Sequence, residues 1–342
     1  MTVRLKDIAN DLGLSVVTIS KVLRDHPDIG AETRERVLKR MKELNYQPNM
    51  AARALITGRS YSFGLVVPDL LHPFFAQIAQ IISAEVRRKG YSLLISSSDE
   101  DPDLERLAID QFLARRVDLL LVASAQRSME NFRTLQEKGT PFILLDRGFA
   151  GFEANFIGVD DCEVGRIATR HLIEQGCRRI VHLRGPEIST AAGRLEGYRQ
   201  ALREAGQDTA EEWVVSCMET AEQGSEKGSY EVTKKLLASG SRPDGIFCFN
   251  DPAALGAMRA ILDAGLRIPE DIAVAGCGNL SYSDFLRVPL TSVEQGSAEI
   301  GHLAARMALR LAENRNEAVF EQETVQPKLV VRRSSQRLGE VL

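Results

Sequence analysis

No apolar run in this chain approaches the roughly 18 residues needed to cross a bilayer, so no membrane-spanning helix is expected. Five cysteines (Cys162, Cys177, Cys217, Cys248 and Cys277) lie far apart and form no Cys-x-x-Cys pair. They read as small core residues, which excludes a zinc ribbon and a disulfide framework. His171, His182 and His302 lack metal-ligand spacing and read as ordinary lobe histidines. There is no Gly-x4-Gly-Lys-Ser/Thr phosphate loop, no Gly-x-Ser-x-Gly elbow and no His-Glu-x-x-His. Gly276-Cys277-Gly278 lacks the third glycine of a dinucleotide fingerprint. Carboxylates abound without a distinctive pair, so catalysis, cofactor and metal are not expected. The first residues lack the apolar core of a secretory signal, which leads us to expect a cytoplasmic protein.

What is present is an ordinary globular composition: 342 residues, 44% apolar and 26% charged. At about 150 residues per domain this predicts roughly two domains. The net charge of −4 hides an asymmetry. Residues 1–60 hold 11 Lys/Arg and 7 Asp/Glu, against 32 and 40 in the remainder. A small basic head on a larger acidic body fits a nucleic-acid-binding module joined to something else.

In the head, Leu5, Ile8, Ala9 and Leu12 recur at helical spacing. Gly13 can take the left-handed turn that ends a helix, and Ser15 is a good N-cap for the next. A second helix is predicted over Val16–Leu23, with Ile19, Val22 and Leu23 inward. A third is predicted over Ala31–Leu44, with Val37, Leu38, Met41 and Leu44 inward. Helix, tight turn, helix and a supporting helix make a helix-turn-helix; a protein-binding three-helix bundle is the plainer alternative. Such a module lays its second helix in the major groove. Val16 and Val17 cannot both be buried there and could meet thymine methyls, while Lys21 could reach guanine. Ser15, Thr18 and Ser20 carry hydroxyls suited to phosphates. After the turn at Asn45–Asn49 comes a helix-prone segment, Met50–Leu55, stopped by Thr57-Gly58. It is too short to be stable alone, and a simple linker would be more polar.

From Tyr61 onward, apolar strand-like runs alternate with amphipathic helices. The runs are Phe63–Val67, Ser92–Ser96, Asp118–Ala123, Phe142–Leu145, Ile180–Leu183, Gly245–Phe249 and Ile272–Ala275. The pattern predicts parallel sheets covered on both faces. About ten such units exceed one open sheet, so two α/β lobes are expected, with ligand between them at the strand ends. There the sequence offers His72, Phe74, Phe75, Asp146, Arg147, Arg194, Asn250 and Gln295. Arginines, amides and aromatic rings together suit a polyol. Asp146 has a second reading, as a support for Arg147. Asp251, before Pro252, reads better as an N-cap than as a ligand contact.

Three stretches carry a family resemblance: Leu5-Lys6-Asp7-Ile8-Ala9; Ser15-x-x-Thr18-x-Ser20-Lys21-Val22-Leu23; and Leu44-x-Tyr46-x-Pro48-Asn49-x-x-Ala52-Arg53-x-Leu55. Together they cover nearly all of residues 3–60, and they resemble the head of the lactose-repressor (LacI/GalR) family of bacterial transcription regulators. The resemblance implies a DNA-binding domain over 1–46 and a hinge helix over 47–60. It also implies an effector-binding and dimerisation body over 61–342, of periplasmic-binding-protein type. Lobe limits of about 61–160 with 292–323, and 161–290 with 324–335, follow. The resemblance makes Leu55 a minor-groove wedge, a device that unstacks a base step and bends the duplex. Ala52 would allow close approach, Tyr46 and Asn49 would hold phosphates, and Arg53 joins the DNA-contacting set.

The implied partners are double-stranded operator DNA, a second copy of the chain and a small sugar-like effector. In the body, the strand-end residues above other than His72 match the family's effector set, with His72 and Asn279 added by position. His72 stands where Asn is common, and Gly278 where an aspartate is usual. Losing a carboxylate while keeping Arg147 and Arg194 predicts a more positive pocket, hence a sugar acid or sugar phosphate in place of a neutral sugar. A periplasmic-type sugar-binding protein without DNA function is the alternative, which the basic head opposes. The chain end lacks a sustained heptad, so a tetramerising coiled coil is not expected.

Overall fold

The computed structural model describes residues 3–23, 26–46, 54, 57–207, 210–217, 224–240, 242–314 and 320–337. The chain divides into two compact units, Met1–Ser60 and Tyr61–Leu342.

The first unit holds α1 (Leu5–Leu12), α2 (Val16–Leu23) and α3 (Ala31–Glu43). Gly13, at φ 63°, ends α1; a Cβ there would be strained. Ser15 Oγ accepts from Thr18 N–H at 3.0 Å and caps α2. The core is Ile8, Ala9, Ile19, Val22, Val37 and Met41, with Leu5, Leu12, Leu14, Leu23, Leu44 and Tyr46 packed around it. One expectation fails: Leu38 is half exposed. The inward stripe of α3 runs through residues 37, 41 and 44, and position 38 falls on its flank.

The second unit is built from two parallel-sheet lobes. The first lobe contains β1 (Ser62–Val67), α4 (Pro73–Arg88), β2 (Ser92–Ser97), α5 (Pro102–Ala114), β3 (Leu119–Val122), α6 (Glu130–Glu137), β4 (Phe142–Leu145) and β5 (Asn155–Val159). The chain then enters the second lobe through α7 (Asp161–Glu174), β6 (Ile180–Arg184), α8 (Ser189–Glu204), β7 (Val214–Ser216), α9 (Gly224–Ala238), β8 (Gly245–Cys248), α10 (Asp251–Asp263), β9 (Ala273–Cys277) and β10 (Thr291–Glu294). It returns for α11 (Ser297–Glu313) and β11 (Gln322–Val325), and ends in the second lobe with β12 (Lys328–Val330). The sheet orders are β11-β5-β4-β3-β1-β2 and β12-β10-β9-β8-β6-β7. Every pairing is parallel except β12 on β10.

The lobe limits need correction. Residues 292–294 belong to the second lobe, because Ser292 and Val293 pair with Gly276 and Cys277 of β9. Residues 324 and 325 belong to the first, where β11 pairs with β5. The crossing therefore falls after Glu294 and after Val325. The short strands β5, β7, β10, β11 and β12 lie outside the apolar runs of the sequence.

Apolar side chains fill both faces of each sheet. In the first lobe, Phe63, Leu65, Leu121 and Ile143 pack under α4 and α11, while Leu120, Val122, Phe142 and Leu144 pack under α5 and α6. Strands buried on both faces need near-continuous apolar runs. In the second lobe, α7 and α8 cross closely because Gly165, Gly193 and Gly197 stand at the contact. A Cβ on Gly197 would sit 1.9 Å from Cys162 O, and one on Gly165 2.0 Å from Arg194 O. This close crossing sets Arg194 against Asp161. Among the described residues no helix is long and apolar enough to cross a membrane.

Candidate functional site: an exposed helix face and a buried cleft

In the first unit, α2 presents its N-terminal residues outward. Val16 is 43% exposed and Val17 62%. Ser15 Oγ lies 2.8 Å from Thr18 Oγ1, so these hydroxyls cap the helix and face solvent together. Lys21 Nζ meets Asp28 at 3.1 Å, the lysine about a third exposed and the aspartate more than half. Such an exposed pair adds little to stability, and a phosphate or base edge can displace it. Tyr46 packs its ring on the core. Asn49, Ala52, Arg53 and Leu55 lie outside the described residues.

In the second unit, the strand ends of the two lobes enclose a cleft of about 580 Å³. His72, Phe74, Phe75, Asp146, Arg147, Arg194, Asn250 and Gln295 all line it. Arg147 donates to both Glu100 oxygens at 2.8 and 2.7 Å and to Ser124 O at 3.1 Å. Its guanidinium carbon lies 5.9 Å from the Phe75 ring centre. Arg194 donates from Nε to Asp161 at 2.8 Å and from Nη1 to Phe249 O at 2.6 Å. Burial raises the Asp161 carboxyl, against the pull of Arg194. Burial likewise raises Asp146, against Arg194 and Arg147.

Among the described residues, three buried polar atoms around the cleft have no hydrogen-bond partner: His72 Nδ1, Asp146 Oδ1 and Arg147 Nε. Burial lowers His72 to about 4, so its imidazole is neutral near pH 7.

Phe74 and Phe75 are both buried, at 4% and 6% exposure, and stack edge to face at 5.1 Å against the cleft. Several expectations are corrected. Arg147 is held by Glu100, not by Asp146. The cap of α10 is Asn250, whose Oδ1 accepts from Ala253 N–H at 2.8 Å. One Oδ1 lone pair is thus taken, and Nδ2 already reaches Ser225 Oγ at 3.3 Å. Asn279 is not among the cleft-lining residues; its amide donates to Glu294 at 2.8 Å. Asp251 is neither cap nor cleft residue. It is fully buried, accepting from Ser292 Oγ at 2.6 Å, Leu280 N–H at 2.8 Å and Ser283 Oγ at 3.3 Å.

The cleft is also not more positive for want of an aspartate at position 278. Each arginine is matched by a carboxylate, and Asp69, Asp99, Glu100, Asp146 and Glu226 line the cleft beside Arg147 and Arg194. Gly278 itself sits at φ 129°, with Asp251 Oδ2 3.5 Å from where its Cβ would be. A carboxylate at 278 would be strained and would face Asp251. Glu100, Thr190, Ser225, Glu226 and Tyr282 line the cleft unforeseen. Asp99 and Glu100 both adopt positive φ, 50° and 58°, a turn with no glycine to announce it.

A helix-turn-helix unit and a two-lobed unit with a partly unsatisfied cleft, in one chain, define a ligand-responsive DNA-binding transcription regulator. Comparisons agree. Residues 4–49 match the bacterial regulatory proteins of the lacI family, and residues 169–335 match a periplasmic binding protein-like domain. The chain is 32% identical over 338 residues to the HTH-type transcriptional repressor PurR of Mannheimia succiniciproducens, covering 98% of this chain and 99% of that one. It is similar to the lac repressor dimer bound to operator and the anti-inducer ONPF (TM-score 0.86, 27% identity, 98% of this chain and 100% of that one). It is also similar to the regulator CelR in complex with cellobiose (TM-score 0.73, 27% identity, 97% and 99%). The chain belongs to the lacI family of bacterial regulatory proteins.

Proposed function

We propose that this chain is a cytoplasmic repressor that binds a palindromic operator as a homodimer, its DNA affinity set by a small polyhydroxylated effector held between its two lobes. It has no catalytic role in this reading. The observation that carries the effector reading is the cleft itself. Buried polar groups are almost always hydrogen-bonded, and three at this one place find no partner among the described residues. A ligand bearing both hydroxyl donors and acceptors would satisfy Asp146 Oδ1, Arg147 Nε and His72 Nδ1, with the Phe75 ring on its apolar face. The matched charges favour a neutral sugar over a sugar acid or sugar phosphate.

The DNA reading rests on Val16 and Val17, apolar and exposed at the start of α2. Lys21 reads one base per half-site, Ser15, Thr18, Ser20, Tyr46, Asn49 and Arg53 position the backbone, and Leu55, with Ala52 beside it, is the wedge of a hinge over 47–60. The dimer reading is supported by exposed apolar side chains at the edge of the first lobe: Leu71 in the loop after β1, Ile95 on edge strand β2, and Leu104 and Leu107 on α5. Phe285 is similarly exposed in the second lobe.

Cleft and face are joined. Ser124, whose carbonyl accepts from Arg147, donates its hydroxyl to buried Glu105 of α5 at 2.8 Å. A ligand that shifts Arg147 thus moves the helix carrying Leu104 and Leu107. If ligand binding changes how two first lobes meet, the marginal hinge segments need only one or two kcal/mol, on the order of one helix turn's stability, to order or melt.

The test is thermal unfolding of the full chain against neutral sugars, sugar acids and sugar phosphates. A ligand at 100 times its Kd adds about 2.7 kcal/mol, several degrees for this size. Neutral sugars are expected to shift the midpoint. A shift by sugar acids alone would overturn the charge argument. Leu55→Ala is expected to weaken specific operator binding and spare the nonspecific, salt-dependent part.

A further inference from the structure

A second cavity, of about 500 Å³, adjoins the cleft and shares Arg147, Pro186 and Ile188 with it. Its chemistry is the reverse. The cleft is lined by five carboxylates and two arginines, whereas among the described residues this cavity is lined by Arg127 and Arg184 against one carboxylate, Glu187, with Arg147, already paired to Glu100, in the shared wall. Arg127 is exposed and makes no ion pair among the described residues. Arg184 stands 3.8 Å from Glu187, wide of hydrogen-bonding distance. Ser128 and Ser189 add hydroxyls, and Phe149 and Met129 an apolar wall. Ser189 Oγ accepts from Gly148 N–H at 3.1 Å and keeps its own proton to donate.

Guanidinium forks with spare donors, hydroxyls and an apolar wall in one concavity match a compact organic dianion. The walls come from both lobes: Arg127, Met129 and Phe149 from the first, Arg184 and Ser189 from the second. An occupant would fasten the lobes together on the far side of Arg147 from the effector.

We propose that this cavity is a second regulatory site, which binds a small organic dianion, a phosphate ester of an apolar group being the simplest form. Its occupancy restrains lobe movement, and through Arg147 it is coupled to the effector cleft.

The test is calorimetric titration of the full chain with phenyl phosphate, with phenol as the uncharged control. One site per chain is expected, with phenol at least tenfold weaker. Arg127→Ala and Arg184→Ala are each expected to weaken phenyl phosphate at least tenfold, and Arg184→Lys to recover part of the loss. Arg127 is exposed and Arg184 a third exposed, so unfolding midpoints should match the parent. Should Arg184→Ala misfold, Arg127→Ala carries the test alone. Absence of binding, equal binding of phenol, or loss on Asn250→Ala with retention in Arg127→Ala would each overturn the proposal. The last of these would put the anion in the effector cleft instead.

Discussion

The two units carry their functional side chains in opposite ways. In the head they face solvent: Val17 is 62% exposed, and Lys21 pairs with the exposed Asp28. In the body they are buried: Arg194 is 5% exposed and Arg147 7%, each locked to a carboxylate. A surface that reads DNA must be free of its own fold, so its residues contribute little to stability. A cleft that selects a small molecule must be held rigid before the ligand arrives. Its residues are therefore also structural, and a change there damages fold and function together.

The sharpest way to break this comparison is to separate stability from function in each unit. Arg194→Met leaves Asp161 buried without its cation and is expected to cost about 3–5 kcal/mol in denaturant unfolding. Asp161→Asn in the same chain should recover part of the stability but not ligand binding. Full recovery of both would show that the pair is structural only.

Gly197→Ala drives a Cβ into Cys162 O. It is expected to part α7 from α8 at a cost of about 1–3 kcal/mol and to weaken ligand binding with it, by displacing Arg194. Val17→Asp is the opposite case. Unfolding should change by under about 0.5 kcal/mol, while specific operator affinity falls by about 1–3 kcal/mol. A large loss of stability would mean that Val17 serves the core.

The pH dependence sharpens the cleft's side. His72 is held neutral by burial, near 4 against an ordinary 6.5. Between those values the unfolded chain takes up a proton that the folded chain refuses. Stability contributed by the neutral ring is complete above pH 6.5 and is lost as pH falls toward 4, about 1 kcal/mol of it by pH 5.5. His72→Asn should flatten that part of the midpoint-against-pH curve. The smallest effect belongs to the head: Asp28→Asn, which removes the Lys21–Asp28 ion pair, should leave the unfolding midpoint close to that of the parent.

The same contrast explains what could be read in the sequence. The head was legible because its signals are local: a glycine at the helix end, a serine cap, and two valines too many for a short helix. The lobes were legible from their apolar strand runs, and most cleft residues from their position just after those runs. What escaped depended on contacts distant in the chain. Glu100 reaches Arg147 only through a turn in which two non-glycine residues take positive φ. Gly278 looked like a missing charge, because nothing nearby in sequence shows Asp251 folding back against that spot. Asn279 looked like a cleft residue until β10 brought Glu294 beside it. The lobe limits slipped because β10 joins the second sheet by pairing with a strand earlier in the chain.

The central claim is that a ligand in the cleft sets operator affinity. The direct measurement is titration of the full chain onto a duplex selected by it from a randomised library, with and without a neutral sugar that raises its unfolding midpoint. The account predicts a selected site with two-fold symmetry and a change of at least about fivefold in operator Kd on adding the sugar, lost in Arg194→Met together with the midpoint shift. A sugar that stabilises the chain yet leaves operator affinity unchanged would contradict it.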